Sequence, residues 1–208
     1  MCLKCSHDSG FTLIELMITL AVLGILISLA VPEFRLAIQN AQIRRAAESA
    51  MNGINLARAE ALRRNAVVRF QLVDSLSATC ALSSTGASWV VSRGNPAGLC
   101  DVAPAAPTDS SSATGSDPKT IQRYSGAGAA TVTLNASTSA GAAATTIAFD
   151  GFGRIAATSL ASAISTIAVD SNALPASDSR DLRLTITTAG QVRLCDPAVS
   201  DTADPRHC

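Results

Sequence analysis

The sequence predicts an α+β fold in which one long N-terminal helix packs on an antiparallel β-sheet domain. Three observations point there. Phe11 to Val31 is an apolar block of 21 residues with a single charge, Glu15. From Glu33 to about Asn65 the apolar residues recur at three- and four-residue steps, the period of a helix face. Beyond Asn65 the period falls to two and glycine-containing turns punctuate the chain, as in a sheet.

The composition limits what such a fold can do. The 208 residues carry 16 basic and 16 acidic side chains, and the chain is 48% apolar but only 3% aromatic. Zero net charge excludes a nucleic-acid binder that works by bulk charge, although a local patch stays open. Sustained disorder is excluded too, because it combines low hydrophobicity with high net charge.

The apolar block comes first. At about 1.5 Å per residue its helix spans about 31 Å, the thickness of a hydrocarbon core. A secretory signal peptide has a shorter core, roughly 7–15 residues, and ends in small residues. Here the block ends in Ala30-Val31-Pro32-Glu33 and runs into a further helical pattern, so we read a retained membrane helix. Glu15 is its anomaly. A carboxylate deep in lipid costs about 2.5–3.5 kcal/mol on insertion scales and needs a partner or the headgroup region.

The second stretch, 33–65, reads as an amphipathic helix. Phe34, Ile38, Ala47, Met51, Ile54, Ala57 and Ala61 mark its apolar face, and six arginines face three glutamates. Glu60 and Arg64 stand in the favourable i,i+4 order.

Strands are expected at Val68 to Leu72, Trp89 to Ser92, Thr131 to Leu134, Ile147 to Phe149, Ile167 to Val169 and Leu182 to Thr187. Asp150-Gly151-Phe152-Gly153-Arg154 and Thr188-Ala189-Gly190-Gln191 read as hairpin turns. Asp101 to Pro118, rich in Ala, Pro, Ser and Asp, reads as a flexible surface insertion. Ser125 to Ala130 and Ala136 to Ala144 read as loop.

Gly10-Phe11-Thr12-Leu13-Ile14-Glu15-Leu16 resembles the class III signal of type IV pilins and type II secretion pseudopilins. The resemblance makes the fold pilin-like. It implies that a prepilin peptidase cuts between Gly10 and Phe11, removing residues 1–10 as a leader, and that Phe11 becomes N-methylated. Residues 11–32 would be the transmembrane and filament-core helix, 33–65 the amphipathic helix, and 66–208 a periplasmic sheet domain. Glu15 would pair with the cationic N-terminal amine of a neighbouring subunit, since buried charges are tolerable only when paired. Gly24 and Pro32 match positions where helices of this family loosen, and a proline kinks or ends a regular helix. Ala57-Arg58-Ala59-Glu60-Ala61-Leu62-Arg63-Arg64-Asn65 is similar to the helix end in FimT- and FimU-type minor pilins, a pattern shared by GspH-type minor pseudopilins.

What this implies is a minor type IV pilin that primes or caps a pilus fibre serving motility, adhesion or DNA uptake. Its partners would be major and other minor pilins, the prepilin peptidase, an inner-membrane assembly platform, and membrane lipid before assembly. It would sit as a single-pass inner-membrane protein with a periplasmic domain, then in the fibre at the cell surface. The alternative is a GspH-type minor pseudopilin of the type II secretion system. A further alternative, from another class, is a membrane-tethered periplasmic enzyme or binding domain whose leader is never cut.

DNA is a partner to weigh as well. DNA-binding FimT-type pilins carry a C-terminal Gly-Arg-x-Arg motif, and here Gly190-Gln191-Val192-Arg193 stands at the matching place. Arg193 is kept while Gln191 replaces the first arginine, and a glutamine offers phosphate only neutral hydrogen bonds. From Ala66 onward nine basic groups face eleven acidic ones, which weakens attraction to DNA.

The cysteines divide by the same scheme. Cys2 and Cys5 fall in the leader, and their C-x-x-C spacing has no second pair beside it to make a metal or redox site. Cys80, Cys100, Cys195 and Cys208 form an even set in an oxidising compartment. Three pairings can be drawn. Nearest-neighbour bonds, Cys80 with Cys100 and Cys195 with Cys208, are expected, each worth roughly 3 kcal/mol if unstrained. The second would close a C-terminal loop of the kind pilins use.

No catalytic residue, cofactor or metal is expected. After the leader the chain has one histidine, His207, and one lysine, Lys119. No nucleophile elbow is present. Gly126-x-Gly128 and Gly151-x-Gly153 open no helix, as a phosphate loop must, and the aspartates lack metal-loop spacing.

Overall fold

The computed structural model describes residues 11–208; Gly10 and the leader cysteines lie outside the described residues. One helix, α1 (Leu13–Arg64), is followed by eight strands: β1 (Val68–Val73), β2 (Ser88–Ser92), β3 (Thr120–Tyr124), β4 (Val132–Ser137), β5 (Thr146–Phe149), β6 (Thr166–Ser171), β7 (Leu182–Ile186) and β8 (Val192–Cys195). The chain divides into two packing units between Ile38 and Gln39, and each is treated by itself below.

The sequence predicts one long helix, with Pro32 a place where it kinks or ends. The structure instead carries α1 through Pro32 as one element. A proline removes one hydrogen bond of the ladder. The turns on either side stay helical, so the element continues past it. The helix stops by defined chemistry. Asn65 takes φ 47°, and its N–H donates to the Leu62 carbonyl at 3.3 Å while that of Ala66 donates to Ala61 at 3.2 Å. That is a Schellman cap with Asn in the left-handed position. Arg63 and Arg64 in the last turn complement the helix dipole.

In the second unit the helix buries Ile43, Ala46, Ala47, Ala50, Ile54, Ala57 and Ala61. Their three- and four-residue spacing forms one stripe. The expected sheet is present as two four-stranded antiparallel sheets, with orders β3-β2-β1-β5 and β4-β6-β7-β8. Phe70 lies opposite Val91 and Ile147, and Leu134 opposite Val169. Val68, Phe70 and Leu72 of β1, with Ile147 and Phe149 of β5, join Leu134, Ile167, Val169 and Leu184 of the other sheet in one core with the helix stripe. Each large side chain buried there contributes about 1.5–3 kcal/mol. A second, smaller cluster gathers Val73, Val90, Cys80 and Cys100.

Three local expectations need correction. Strand β3, five residues of mixed polarity, follows the insertion directly and was not expected. Ala136, placed in a loop, belongs to β4, which runs to Ser137 before a turn pairs Ser137 with Ala143. The segment 101–118, read as a flexible insertion, is tied to its surroundings, starting with the Ala105 N–H on the Thr120 carbonyl at 2.7 Å.

Candidate functional site

In the first unit, Phe11 is 85% exposed at the start of the described chain. Thr12 and Glu15 then form a capping box. The Thr12 hydroxyl accepts the Glu15 N–H at 3.3 Å, and the Glu15 carboxylate accepts from the Thr12 N–H and hydroxyl, each at 3.5 Å. The T-x-x-E spacing carries this signal, and the sequence reading passed over it by weighing Glu15 only as a charge in lipid. The other polar groups of the segment are satisfied inside the helix. Thr19 donates to Leu16 O at 2.8 Å and Ser28 to Ile25 O at 2.7 Å. Around them Leu13, Ile14, Met17, Ile18 and Ile25 are more than half exposed on all sides of the helix. Gly24 has no neighbour within 4 Å of the place a Cβ would take. This stretch of α1 is long and apolar enough to cross a membrane. Such a surface needs lipid or other apolar helices around it, and Glu15 is the single ionisable group it presents to them.

In the second unit, the turn before β8 closes through Thr187, whose N–H donates to Gln191 O at 2.9 Å, with Gly190 at φ 78°. Gln191 is exposed. Arg193 is exposed and holds the tail through one nitrogen, Nη2. Its guanidinium donates to the Pro205 carbonyl at 2.9 Å and to that of His207. Those carbonyls belong to the tail, which the Cys195–Cys208 disulfide closes with a Cα–Cα distance of 5.1 Å. Within the tail the Asp196 N–H donates to Arg206 O at 2.7 Å. The Arg206 guanidinium holds the Asp204 carboxyl at about 2, below its usual range. Cys80 is bonded to Cys100, Cα–Cα 6.1 Å, in the smaller cluster.

The structure also brings together residues that the sequence did not single out. Three arginines each donate to one carbonyl of the 101–118 segment: Arg63 to Pro107 at 3.2 Å, Arg64 to Asp109 at 2.8 Å, and Arg93 to Ser111. Glu60 bridges Arg63 and Arg64 at 2.7 Å each, and the hydrogen bond from Arg63 lowers its pKa. Lys119 reaches Asp109 at 3.1 Å and Asp117 at 2.7 Å. The three arginines and their carbonyl acceptors lie 18 to 45 residues apart, so no local spacing announces those contacts, whereas the Glu60–Arg64 pair follows the i,i+4 order. Among the described residues no group of three or more His, Cys, Asp or Glu side chains could hold a metal ion.

The geometry is therefore that of a subunit with an exposed apolar helix and a disulfide-tied sheet domain. Comparison with known proteins agrees. Residues 5–31 match the prokaryotic N-terminal methylation motif, and residues 46–198 match the family described as type II transport protein GspH. No curated protein and no solved structure gives a significant match. Because the second match spans most of the chain, the protein belongs to the GspH family of type IV minor pilins and pseudopilins.

Proposed function

We propose that this protein is a non-catalytic filament subunit, a minor type IV pilin of the FimT/FimU branch that primes or caps a pilus fibre. The observation that carries this reading is the first turn of α1. The first stretch of α1, up to Val31, is otherwise apolar and outward-facing and presents one carboxylate, Glu15, four residues after Phe11. A prepilin peptidase cuts between Gly10 and Phe11, and Phe11 is then methylated. While the subunit waits in the inner membrane, the Thr12 cap shields Glu15 near the headgroups. During assembly the carboxylate meets the cationic amine of the neighbouring subunit, and the apolar surface that faced lipid packs on other pilin helices. Gly24, with no side chain, and Pro32, with no N–H, are the places where α1 gives way when it repacks.

The branch assignment draws on the helix end Ala57 to Asn65. The reading with a type II secretion pseudopilin shares all of this chemistry and differs in where the fibre stands. Mass spectrometry of sheared surface fibres separates them. A peptide beginning at methylated Phe11 in that fraction supports the pilus. The same peptide confined to membrane and periplasm supports the secretion pseudopilin, and an uncut leader everywhere rejects both.

A further inference from the structure

Where α1 ends, three guanidiniums converge. Arg63 and Arg64 come from the last helical turn and Arg93 from the residue after β2. With Thr108, Asp109 and Ser110 they line a cavity of about 210 Å³. Each arginine uses part of its five-donor fork on Glu60 or on the 107–111 carbonyls. Among the described residues Arg63 Nη1, Arg64 Nη2, and Arg93 Nε and Nη2 have no protein acceptor.

The acids nearby are already engaged. Glu60 bridges Arg63 and Arg64, and the Asp109 carboxylate is held by Lys119 and Ser111. Three cations thus face one carboxylate within the cluster. The partial negative charge of the helix C-terminus offsets only about half a unit. The Arg64 side chain is only 11% exposed, which holds its guanidinium in a fixed orientation at the cavity wall. A planar fork of this kind matches an oxyanion held by two oxygens.

The setting selects among oxyanions. Residues 39–208, the unit that holds the pocket, carry 14 basic and 13 acidic groups, so no bulk field draws in a long polyanion. A single carboxylate on another protein meets the three arginines only at close range, inside a Debye length of about 8 Å. We propose that this pocket seats a carboxylate side chain of a neighbouring filament subunit. The assignment rests on the filament reading above.

The test uses the full chain in detergent micelles, titrated calorimetrically with acetyl-Glu-Glu-Glu-amide, with inorganic phosphate and with a short single-stranded DNA. The peptide is expected to bind at low salt, and Arg93→Gln to weaken it by at least about tenfold, the loss of one hydrogen bond to a charged group. Arg63→Gln, at a half-exposed side chain, gives the same direction where Arg93→Gln disturbs folding. No peptide binding, unchanged binding in both variants, or preference for phosphate or DNA overturns the assignment. Recovery in fibres is scored alongside. Absence of the wild-type chain from fibres rejects the filament reading, whereas equal recovery of wild type and Arg93→Gln rejects the pocket alone.

Discussion

Arg58 on α1 donates its Nε to the carbonyl of Gly153 at 2.9 Å. Gly153 sits in the turn after β5, and the Gly190 turn of the other sheet packs on the same spot. A Cβ at Gly190 would collide with the Gly153 carbonyl and crowd the Phe149 ring and the Arg58 guanidinium. The Ile155 N–H completes the junction by donating to Thr188 O at 3.2 Å. Arg58 therefore fastens the helix to the turn after β5, and Ile155 ties that turn to the other sheet. Arg58→Ala is expected to cost about 1.5–3 kcal/mol, the worth of a hydrogen bond to a charged group at a half-buried site. Urea unfolding followed by the single tryptophan, Trp89, reads this directly. A midpoint equal to wild type would refute the fastening.

Gly53 provides a second test, because two effects oppose each other there. Alanine in place of a helical glycine gains about 1 kcal/mol in propensity. A Cβ at Gly53, however, would stand 2.8 Å from Phe70 Cε2 and 3.0 Å from Trp89 Cζ2. Both rings are buried and tilted against each other at 39°, with centroids 5.6 Å apart. Trp89 is also stacked on Tyr124, so there is little room to swing away. Overpacking costs about 1–3 kcal/mol. Gly53→Ala should therefore destabilise the protein despite its better propensity, with altered Trp89 fluorescence in the native state.

These two contacts show where sequence reading stops. The helix stripe from Ile43 to Ala61 and strands such as β1, β5 and β6 were legible because each carries its own period. Division into two sheets was not, since β4 pairs with β6 and β1 with β5 across long separations that no window contains. Strand β3 was hidden because Gln122 and Arg123 interrupt its apolar pattern. The arginine clamp on the 107–111 carbonyls left no trace, because backbone acceptors have no sequence signature. At the N-terminus the family signal around Phe11 was plain, yet the Thr12–Glu15 box went unread although its spacing is local.

The segment 101–118 should respond to acid. The Ser111 hydroxyl and Lys119 draw the Asp109 carboxyl well below its usual range, and Lys119 lowers Asp117 likewise. Carboxyls depressed in the folded state stabilise it above their ordinary value of 3.8 and lose that contribution as the pH falls through the folded values. Lys119, raised by the same two acids, keeps its contribution below 10.5 and loses it at higher pH. A spin label on Ser112→Cys is expected to be held from pH 5 to 9 and to gain mobility only well below pH 3.8, as Asp117 and Asp109 take up protons. Lys119→Gln should raise its mobility at pH 6. A label equally mobile across this range would count against the clamp.

Arg193 and the tail disulfide act on the same residues. If the Cys195–Cys208 bond closes the tail, Cys208→Ser should cost about 3 kcal/mol for a loop of this length and leave the Pro205 and His207 carbonyls mobile. Arg193→Ala removes two hydrogen bonds to those carbonyls. Hydrogen exchange at the Asp196 and His207 amides should rise in both variants. In a gel-shift assay at low salt, Arg193→Ala should change DNA retention little, because Gln191 supplies no second cation beside it and the acidic groups from Ala66 onward outnumber the basic ones. A large loss of retention would show that Arg193 serves DNA instead.

Glu15 carries two separable roles, and paired substitutions divide them. Glu15→Gln keeps an acceptor for Thr12 and therefore most of the cap, but removes the charge. Thr12→Ala removes the hydroxyl cap, which costs about 1 kcal/mol of helix stability, and keeps the charge. If Glu15 works by pairing with a neighbour's amine, Glu15→Gln should insert into the membrane at least as well as wild type. The penalty of about 2.5–3.5 kcal/mol for a carboxylate in lipid is then gone. The same variant should fail to enter fibres, because the buried amine is left unpaired. Thr12→Ala should enter fibres nearly normally. The opposite ranking, with Thr12→Ala excluded and Glu15→Gln assembled, would mean that Glu15 serves the helix start and not the subunit contact.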